Sequence, residues 1–365
     1  MRRTRGAAAA VLLAALVGVL IGAALVWGWL SKQQATTARI TVARGEALPP
    51  VSREGQDAIT AAVARVGPAV VNIDTKVVAH GLGFLEEPFP GRGQASGTII
   101  DGKNGYVLTN AHVVKDAAQI QVTLADGRTF PAKLVGSDPL TEVAVVRIEG
   151  GKNLPQATLG SSADLPVGAW LIAIGNPFGF ENSVTVGVLS ARGRAVGPSR
   201  GVVLQDLMQT DASINPGNSG GALVDLNGNV VGIPTAMIPQ AQGIGFAVPA
   251  EVAEQVAERL IKTGKMPWLG ISHKELSPPE AASRGVPGGK GSVVMEVVPG
   301  GPADKAGMQA GDVILKVNEK RVNTAKDVGK EVRTHDSGSR ITVTVWRKGR
   351  EEKVEVTLGE VPQNL

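Results

Sequence analysis

There is no cysteine among these 365 residues, which excludes thiolate catalysis, disulfide bonds and cysteine–zinc centres. Histidine is nearly as scarce. His80, His112, His273 and His335 are the only four, and no two lie close enough in sequence to suggest a metal pair, so neither a metal nor a cofactor is expected. Blocks of one charge are missing as well. The formal net charge is +4, and no lysine or arginine cluster follows the extreme N-terminus, so a nucleic-acid partner is not indicated. What the chain has in quantity is glycine, 47 residues, within a composition that is 43% hydrophobic. That balance suits a strand-rich globular protein with many turns, and the length suits two folded units.

The one long apolar run stands at the start. Arg2, Arg3 and Arg5 precede an uncharged stretch from Gly6 to Leu30 that ends in Trp27, Trp29 and Lys32. These 25 residues suffice, as a tilted helix, for a bilayer core of roughly 30 Å. A cleaved signal peptide has a shorter apolar core and a small-residue exit, whereas here the exit is Trp-Gly-Trp-Leu. The arginines place the first residues in the cytoplasm and the rest outside it. The expectation is a transmembrane anchor over 1–31, a polar linker over 32–55, and folded domains over 56–263 and 264–360.

From Asp57 the pattern becomes a short helix and then short runs rich in Val, Ile and Thr. Ala69–Val77, Ser96–Ile100, Gly105–Thr109, Ile120–Leu124, Val143–Ile148, Ala169–Ile174, Val184–Leu189, Gly221–Val224, Val230–Ile233 and Gly245–Val248 read as strands, with Asp126-Gly127 and Asn227-Gly228 as turns. Many short strands without long helices between them predict an antiparallel barrel or sandwich. His80–Gln94 reads as a long mobile surface loop. After Pro249, Val252, Val256 and Leu260 recur at four-residue spacing, which predicts an amphipathic helix capped by Gly264.

The chemistry concentrates in Gln209–Gly221, Gln-Thr-Asp-Ala-Ser-Ile-Asn-Pro-Gly-Asn-Ser-Gly-Gly. A serine among glycines and a proline suits neither a helix nor a strand interior. It suits a tight loop that exposes the Ser219 hydroxyl and points the N–H groups of Gly217 and Ser219 at one developing oxyanion. About a hundred residues upstream lies Leu108-Thr109-Asn110-Ala111-His112-Val113-Val114, a histidine just past a strand. Thirty residues further, Ser137-Asp138-Pro139-Leu140-Thr141-Glu142 leads into the apolar strand Val143–Val146. The order base, acid, nucleophile in an all-β setting points to acyl transfer.

Together these segments resemble the HtrA/Deg family of trypsin-like serine proteases. Thr109–Val114, Gly136-Ser137-Asp138-Pro139, Gly175-Asn176-Pro177-Phe178-Gly179, Gln209–Gly221 and Gly243-Ile244-Gly245-Phe246-Ala247-Val248-Pro249 carry the resemblance, which covers nearly the whole chain. It implies a mostly β fold of two six-stranded barrels followed by a PDZ domain, with the active site between the barrels. It also implies His112 as general base, Ser219 as nucleophile and residue 142 as the group orienting the imidazole. The family usually has aspartate there; this chain has Glu142, identified over Asp116 and Asp138 by its flanking Thr141 and Val143. Glutamate can accept the Nδ1–H and stabilise the imidazolium if its extra methylene is absorbed. On sequence grounds Glu142→Asp should therefore keep or raise activity.

Asn218 stands where trypsin-like zymogens carry an aspartate that pairs with a new amino terminus, so activation by clipping is not expected. Control should come from loop rearrangement around Phe178 and Arg192–Arg200. The specificity pocket should be walled by Ser213, Ile214, Ile244 and Phe246, without a buried acid, and should favour medium apolar side chains. Past Gly264, Trp268-Leu269-Gly270-Ile271 resembles the carboxylate-binding loop of a PDZ domain, with a peptide groove between Ile271–Lys274 and a helix near Ala325–Arg333. His273 and His335 read as surface residues.

The resemblance implies a membrane-anchored, ATP-independent endopeptidase acting on unfolded polypeptides outside the cytoplasm, gated by C-terminal peptides at the PDZ domain and assembled as a homotrimer. The competing expectation is a weakly active or inactive holder of unfolded chains.

Overall fold

The computed structural model describes residues 16–29, 53–78, 90–177, 182–197, 203–215, 217–237 and 243–362. The chain divides into Met1–Ser52 and Arg53–Leu365. In the first unit residues 16–29 form an exposed helix, α1. Fourteen residues rise roughly 21 Å, and among the described residues no helix is long and apolar enough to cross a membrane. The remainder of the Gly6–Leu30 run and most of the 32–55 linker lie outside the described residues.

The second unit begins with α2 (Arg53–Val66), whose buried Ala62 and Val66 join the core cluster that spans both barrels; Arg65 Nη1 donates to the Asn227 carbonyl in the Asn227-Gly228 turn. The first barrel closes in the order β1 (Val70–Val78), β2 (Pro90–Asp101), β3 (Tyr106–Thr109), β6 (Val143–Ile148), β5 (Thr129–Asp138), β4 (Ala117–Thr123). The second closes as β10 (Ala222–Val224), β11 (Val230–Met237), β12 (Gly245–Pro249), β9 (Leu204–Thr210), β8 (Ser183–Val196), β7 (Trp170–Gly175). Closure pairs every strand on both sides, so short segments such as Ala222–Val224 hold without exposed edges.

All ten anticipated strands are present, and two unanticipated ones complete the barrels. β5 escapes sequence reading because Pro131, Lys133 and Gly136 interrupt its pattern, and β9 because Gln205, Asp206 and Gln209 dilute it. Residues 90–94 are a correction. They belong to β2 and pair with Val78 through Asp74, so the described part of the supposed 80–94 loop is strand; residues 79–89 lie outside the described residues.

The helix after Pro249 is α4 (Ala250–Thr263). Ala253, Val256, Ala257 and Leu260 form its buried face, and Gly264, at φ 71°, returns its N–H to the Leu260 carbonyl. The remaining chain forms the sheet β14 (Ile271–Glu275), β15 (Ser292–Val297), β16 (Val313–Val317), β18 (Arg340–Arg347), β19 (Arg350–Thr357), with β17 (Lys320–Arg321) paired to β16. α5 (Pro278–Arg284), α6 (Pro302–Lys305) and α7 (Ala325–Arg333) accompany it, α7 starting from a Thr324/Asp327 capping box. Its core includes Leu269, Val294, Ile314, Val328, Ile341 and Val343. A short ladder of β13 (Pro267–Trp268) with β20 (Gly359–Glu360) ties the end of the chain to the segment after α4.

Candidate active site and peptide groove

Two antiparallel strands of the first barrel bring His112 and Glu142 together. Thr109 at the end of β3 pairs with Ala144 near the start of β6, so the chain leaving β3 and the chain entering β6 meet at one barrel end. His112 lies in the first segment, within the single-turn helix α3 (Ala111–Val114), and Glu142 in the second. His112 Nδ1 is 2.7 Å from Glu142 Oε2, and the same oxygen accepts the His112 backbone N–H at 3.3 Å. The Glu142 carbonyl accepts the Ala111 N–H at 3.2 Å and Asn110 Nδ2 at 2.9 Å.

Glu142 has φ 60°, in the left-handed region that non-glycine residues seldom enter. The turn before it is held by Asp138, whose Oδ1 accepts the Leu140 N–H at 3.1 Å and whose Oδ2 accepts the Thr141 hydroxyl at 2.7 Å. Burial raises the Asp138 pKa, against the pull of Thr141 and of the Arg333 charge. Asp138 thus serves the turn, while Glu142 meets the imidazole. The His112 side chain is 44% exposed and that of Glu142 20%, which leaves the base open to a substrate and shields the acid.

Ser219 sits on a loop that the second barrel presents to the first. Its carbonyl accepts the Ser96 N–H at 2.9 Å. Gly220, at φ 80°, lies so close to β3 that a Cβ would stand 2.4 Å from Thr109 Oγ1 and 2.3 Å from the Ser96 carbonyl. The nucleophile loop is therefore fastened three residues ahead of His112 in the chain. Gly217 has φ 111° and packs on Pro177. The Asn218 N–H turns inward to the Asn215 carbonyl at 3.0 Å, while those of Gly217 and Ser219 donate to no backbone group among the described residues. Asn218 is buried, and its Nδ2 donates to the Ser213 carbonyl at 3.1 Å, a brace within the loop.

Two residues that the sequence did not single out tie the barrels together here. The Ser96 hydroxyl accepts the Asn176 N–H at 2.7 Å and donates to the Gly217 carbonyl. Asn72 Nδ2 donates to the carbonyls of Asn176 at 3.1 Å and Pro177 at 3.3 Å. Both are fully buried polar residues on barrel strands. The available signal was a polar side chain within an apolar strand, as in Val70-Val71-Asn72-Ile73. Phe178 and Gly179 lie outside the described residues, as do 198–200 of the second control segment.

The predicted pocket residues divide. Ile214 is buried in the second barrel with Leu171, Leu189 and Met208, and it touches Gly245. Phe246 is buried too, but in the larger cluster shared with the first barrel and α4, against which Ile244 packs. Ser213 is exposed, its carbonyl accepting from Thr185 Oγ1 and Asn218 Nδ2. The adjacent acid in sequence, Asp211, is exposed and accepts the Val188 N–H.

In the C-terminal domain Trp268 is in β13 and Leu269 in the core. Gly270, at φ 83°, turns the chain into Ile271 at the start of β14. The carbonyls of Leu269 and Gly270 accept from Ala303 and Val298. β14 pairs only with β15 and is thus a sheet edge, with α7 alongside. The helix expected near Ala325–Arg333 is present with those limits. The two histidines correct the sequence reading. His273 is part-buried, its Nδ1 is 2.8 Å from Ser292 Oγ, and burial lowers its pKa to about 4. His335 Nε2 lies 3.1 Å from Asn318 Nδ2 and 3.2 Å from Glu331 Oε1.

Paired closed barrels, with a histidine–carboxylate contact on one and a glycine-bound serine loop on the other, define a trypsin-like serine peptidase followed by a second, smaller domain. Comparison with known families agrees: residues 95–233 match the trypsin-like peptidase domain and 267–358 the PDZ domain. The chain is 40% identical over 351 residues to the putative serine protease HhoB of Synechocystis, covering 87% of this chain and 83% of that protein. It is 39% identical over 356 residues to a probable periplasmic serine endoprotease DegP-like of Pseudomonas putida, covering 88% and 73%. Among solved structures, the HtrA-type protease AlgW with decapeptide matches at TM-score 0.65 and 39% identity, over 83% of this chain and 99% of that one. The chain belongs to the HtrA/DegP-like family of serine endopeptidases.

Proposed function

We propose that this chain is a membrane-anchored, ATP-independent endopeptidase that degrades misfolded or damaged proteins outside the cytoplasm, under control of C-terminal peptides bound at its PDZ domain. Ser219 is the nucleophile, His112 the general base and Glu142 the group that orients and stabilises the imidazole. The observation that carries the reading is the 2.7 Å contact of His112 Nδ1 with Glu142, beside a serine loop fastened to the same barrel.

Ser219 Oγ attacks the scissile carbonyl carbon as its proton passes to His112 Nε2. Glu142 holds the Nδ1–H and offsets the positive charge that forms on the ring. The carbonyl oxygen becomes an anion that the N–H groups of Gly217 and Ser219 receive. His112 then protonates the leaving amine, an acyl-enzyme remains, and a water activated by the same histidine releases it.

The N-terminal apolar run supports anchoring, and the names of the periplasmic relatives support an extracytoplasmic site of action. An exposed apolar strip on β7–β8, with Trp170 54% exposed and Val186 paired to Ile172 nearby, supports assembly, which we place as a homotrimer. The test is labelling of the full chain with a fluorophosphonate, mapped by mass spectrometry, alongside casein digestion. Modification of Ser219 and loss of digestion in Ser219→Ala are expected. An unlabelled Ser219 with casein held but uncut would replace the peptidase by a holder of unfolded chains.

A further inference from the structure

The PDZ groove is already held by the peptidase domain. One wall is β14 and the other is α7, and two consecutive residues of β9 grip one wall each. Gln205 Nε2 donates to the His273 carbonyl at 3.1 Å, and Asp206 Oδ1 accepts from Lys326 Nζ at 3.2 Å. Neighbouring strand residues normally point to opposite faces. Here Asp206 is left-handed, at φ 59°, and the β8–β9 register shifts repeatedly between Leu189 and Val196. Such irregularity re-aims side chains, and both of these reach the same neighbour.

These contacts have the chemistry of a bound peptide. A strand adding to β14 would give an N–H to the carbonyl that Gln205 now occupies. An acidic side chain on that strand would meet the ammonium that Asp206 now occupies. The cleft, about 1110 Å³, carries further positive charge on the same helix in Lys330 and Arg333. Arg333 is largely buried, and its Nε meets no hydrogen-bond acceptor. Its charge is felt by Asp138, which is committed to the 138–141 turn, and by Asp206, which also holds Lys326; of the other carboxylates lining the cleft, Glu251 is held by Ser162 and Asp327 by the N–H groups of Asn323 and Thr324. Glu296 sits on the second strand, opposite Ser272.

We propose that the groove selects C-terminal peptides bearing an acidic residue two or three positions before the end, and that Gln205-Asp206 is an intramolecular competitor which such a peptide displaces. The position follows from His273 lying two residues beyond Ile271, where the terminal residue would pair. The inference rests on the reading of Trp268–Ile271 as a carboxylate-binding loop.

The test is fluorescence anisotropy of labelled decapeptides with the full chain carrying Ser219→Ala. All end in valine, with two aspartates, two asparagines or two lysines at those positions, and one aspartate peptide is C-terminally amidated. At low salt the aspartate peptide should bind about tenfold tighter than the lysine peptide. Lys326→Met, at a half-exposed site, should shrink that ratio to roughly twofold. Asp206→Asn and Gln205→Ala should tighten all three free-carboxylate peptides about threefold. Equal affinity for aspartate and lysine peptides overturns the acidic preference while leaving the carboxylate loop standing. Unchanged affinity in both β9 variants overturns the competition. Failure of every peptide to bind, or equal binding of the amidated one, removes the carboxylate-loop reading itself and the inference with it.

Discussion

Glu142 reaches the His112 Nδ1 from a backbone that cannot move toward it. Its carbonyl is pinned by the Ala111 N–H and Asn110 Nδ2, and its φ of 60° is set by a turn that Asp138 holds from within. The 2.7 Å contact is therefore made by the reach of the glutamate side chain from a fixed backbone.

This reverses the sequence-based expectation for aspartate at 142. Aspartate tolerates the left-handed backbone, but its carboxylate would retreat by about one bond length while the carbonyl stays in place. A misplacement on the order of 1 Å can cost up to about 10²-fold in turnover. Glu142→Asp should lower kcat roughly ten- to a hundredfold with KM little changed. Glu142→Gln, which removes the charge, should cost more, up to about 10⁴. Steady-state peptide hydrolysis by the two variants checks this; a Gln variant as fast as the parent would mean that another group orients His112.

The Ser96 hydroxyl is the joint between the barrels. It is fully buried and serves both the Asn176 N–H and the Gly217 carbonyl. Ser96→Ala removes the hydroxyl that both groups use, at a cost of about 1–2 kcal/mol in stability. Because Gly217 is one of the two proposed oxyanion donors, kcat should fall as well. Urea unfolding and peptide hydrolysis measure the two effects, and an unchanged kcat would mean that Gly217 keeps its position without Ser96.

Sequence and structure part company where pattern gives way to three-dimensional register. Strands such as Val143–Ile148 were legible because their apolar residues run nearly unbroken, and α4 because Val256 and Leu260 repeat on one face. β5 and β9 were not legible: proline, glycine and polar residues dilute them, and they exist as strands because closing each barrel requires a sixth member. His112, Ser219 and Glu142 could be picked out because the chemistry restricts their residue types. Asn72 and Ser96 could not, since their partners are backbone groups about a hundred residues away. His273 reads as a surface residue in sequence because no local pattern reveals that its ring meets Ser292 on the neighbouring strand.

Gly220 is a position where only glycine fits, for two independent reasons. Its φ of 80° disfavours a side chain, and a Cβ would meet the Ser96 carbonyl at 2.3 Å and Thr109 Oγ1 at 2.4 Å, neither of which can yield. Gly220→Ala must push the nucleophile loop away from β3. Catalysis should fall at least a hundredfold, and fluorophosphonate labelling of Ser219 should slow in parallel. Gly243→Ala, also at positive φ but in open space, is the control and should retain most activity.

His273 makes the stability of the PDZ domain pH-dependent. Burial lowers its pKa from 6.5 to about 4, so the folded domain holds the neutral ring where the unfolded chain takes up a proton. Since the unfolded state binds more protons between about pH 6.5 and 4, stability rises with pH across that window. The contribution is complete above the unfolded value and is lost as pH falls toward 4, by up to about 3 kcal/mol. The Ser292 hydroxyl donates to the Lys274 carbonyl at 3.0 Å and so accepts the Nδ1–H of the neutral ring, bringing no charge to hold a second proton there. His273→Gln retains a hydrogen-bonding group without the titration. Urea midpoints of the full chain and this variant, read from tryptophan fluorescence at pH 7 and pH 5, should converge as pH falls, because only the parent loses stability through this group. Parallel pH profiles would place the His273 ring in contact with water.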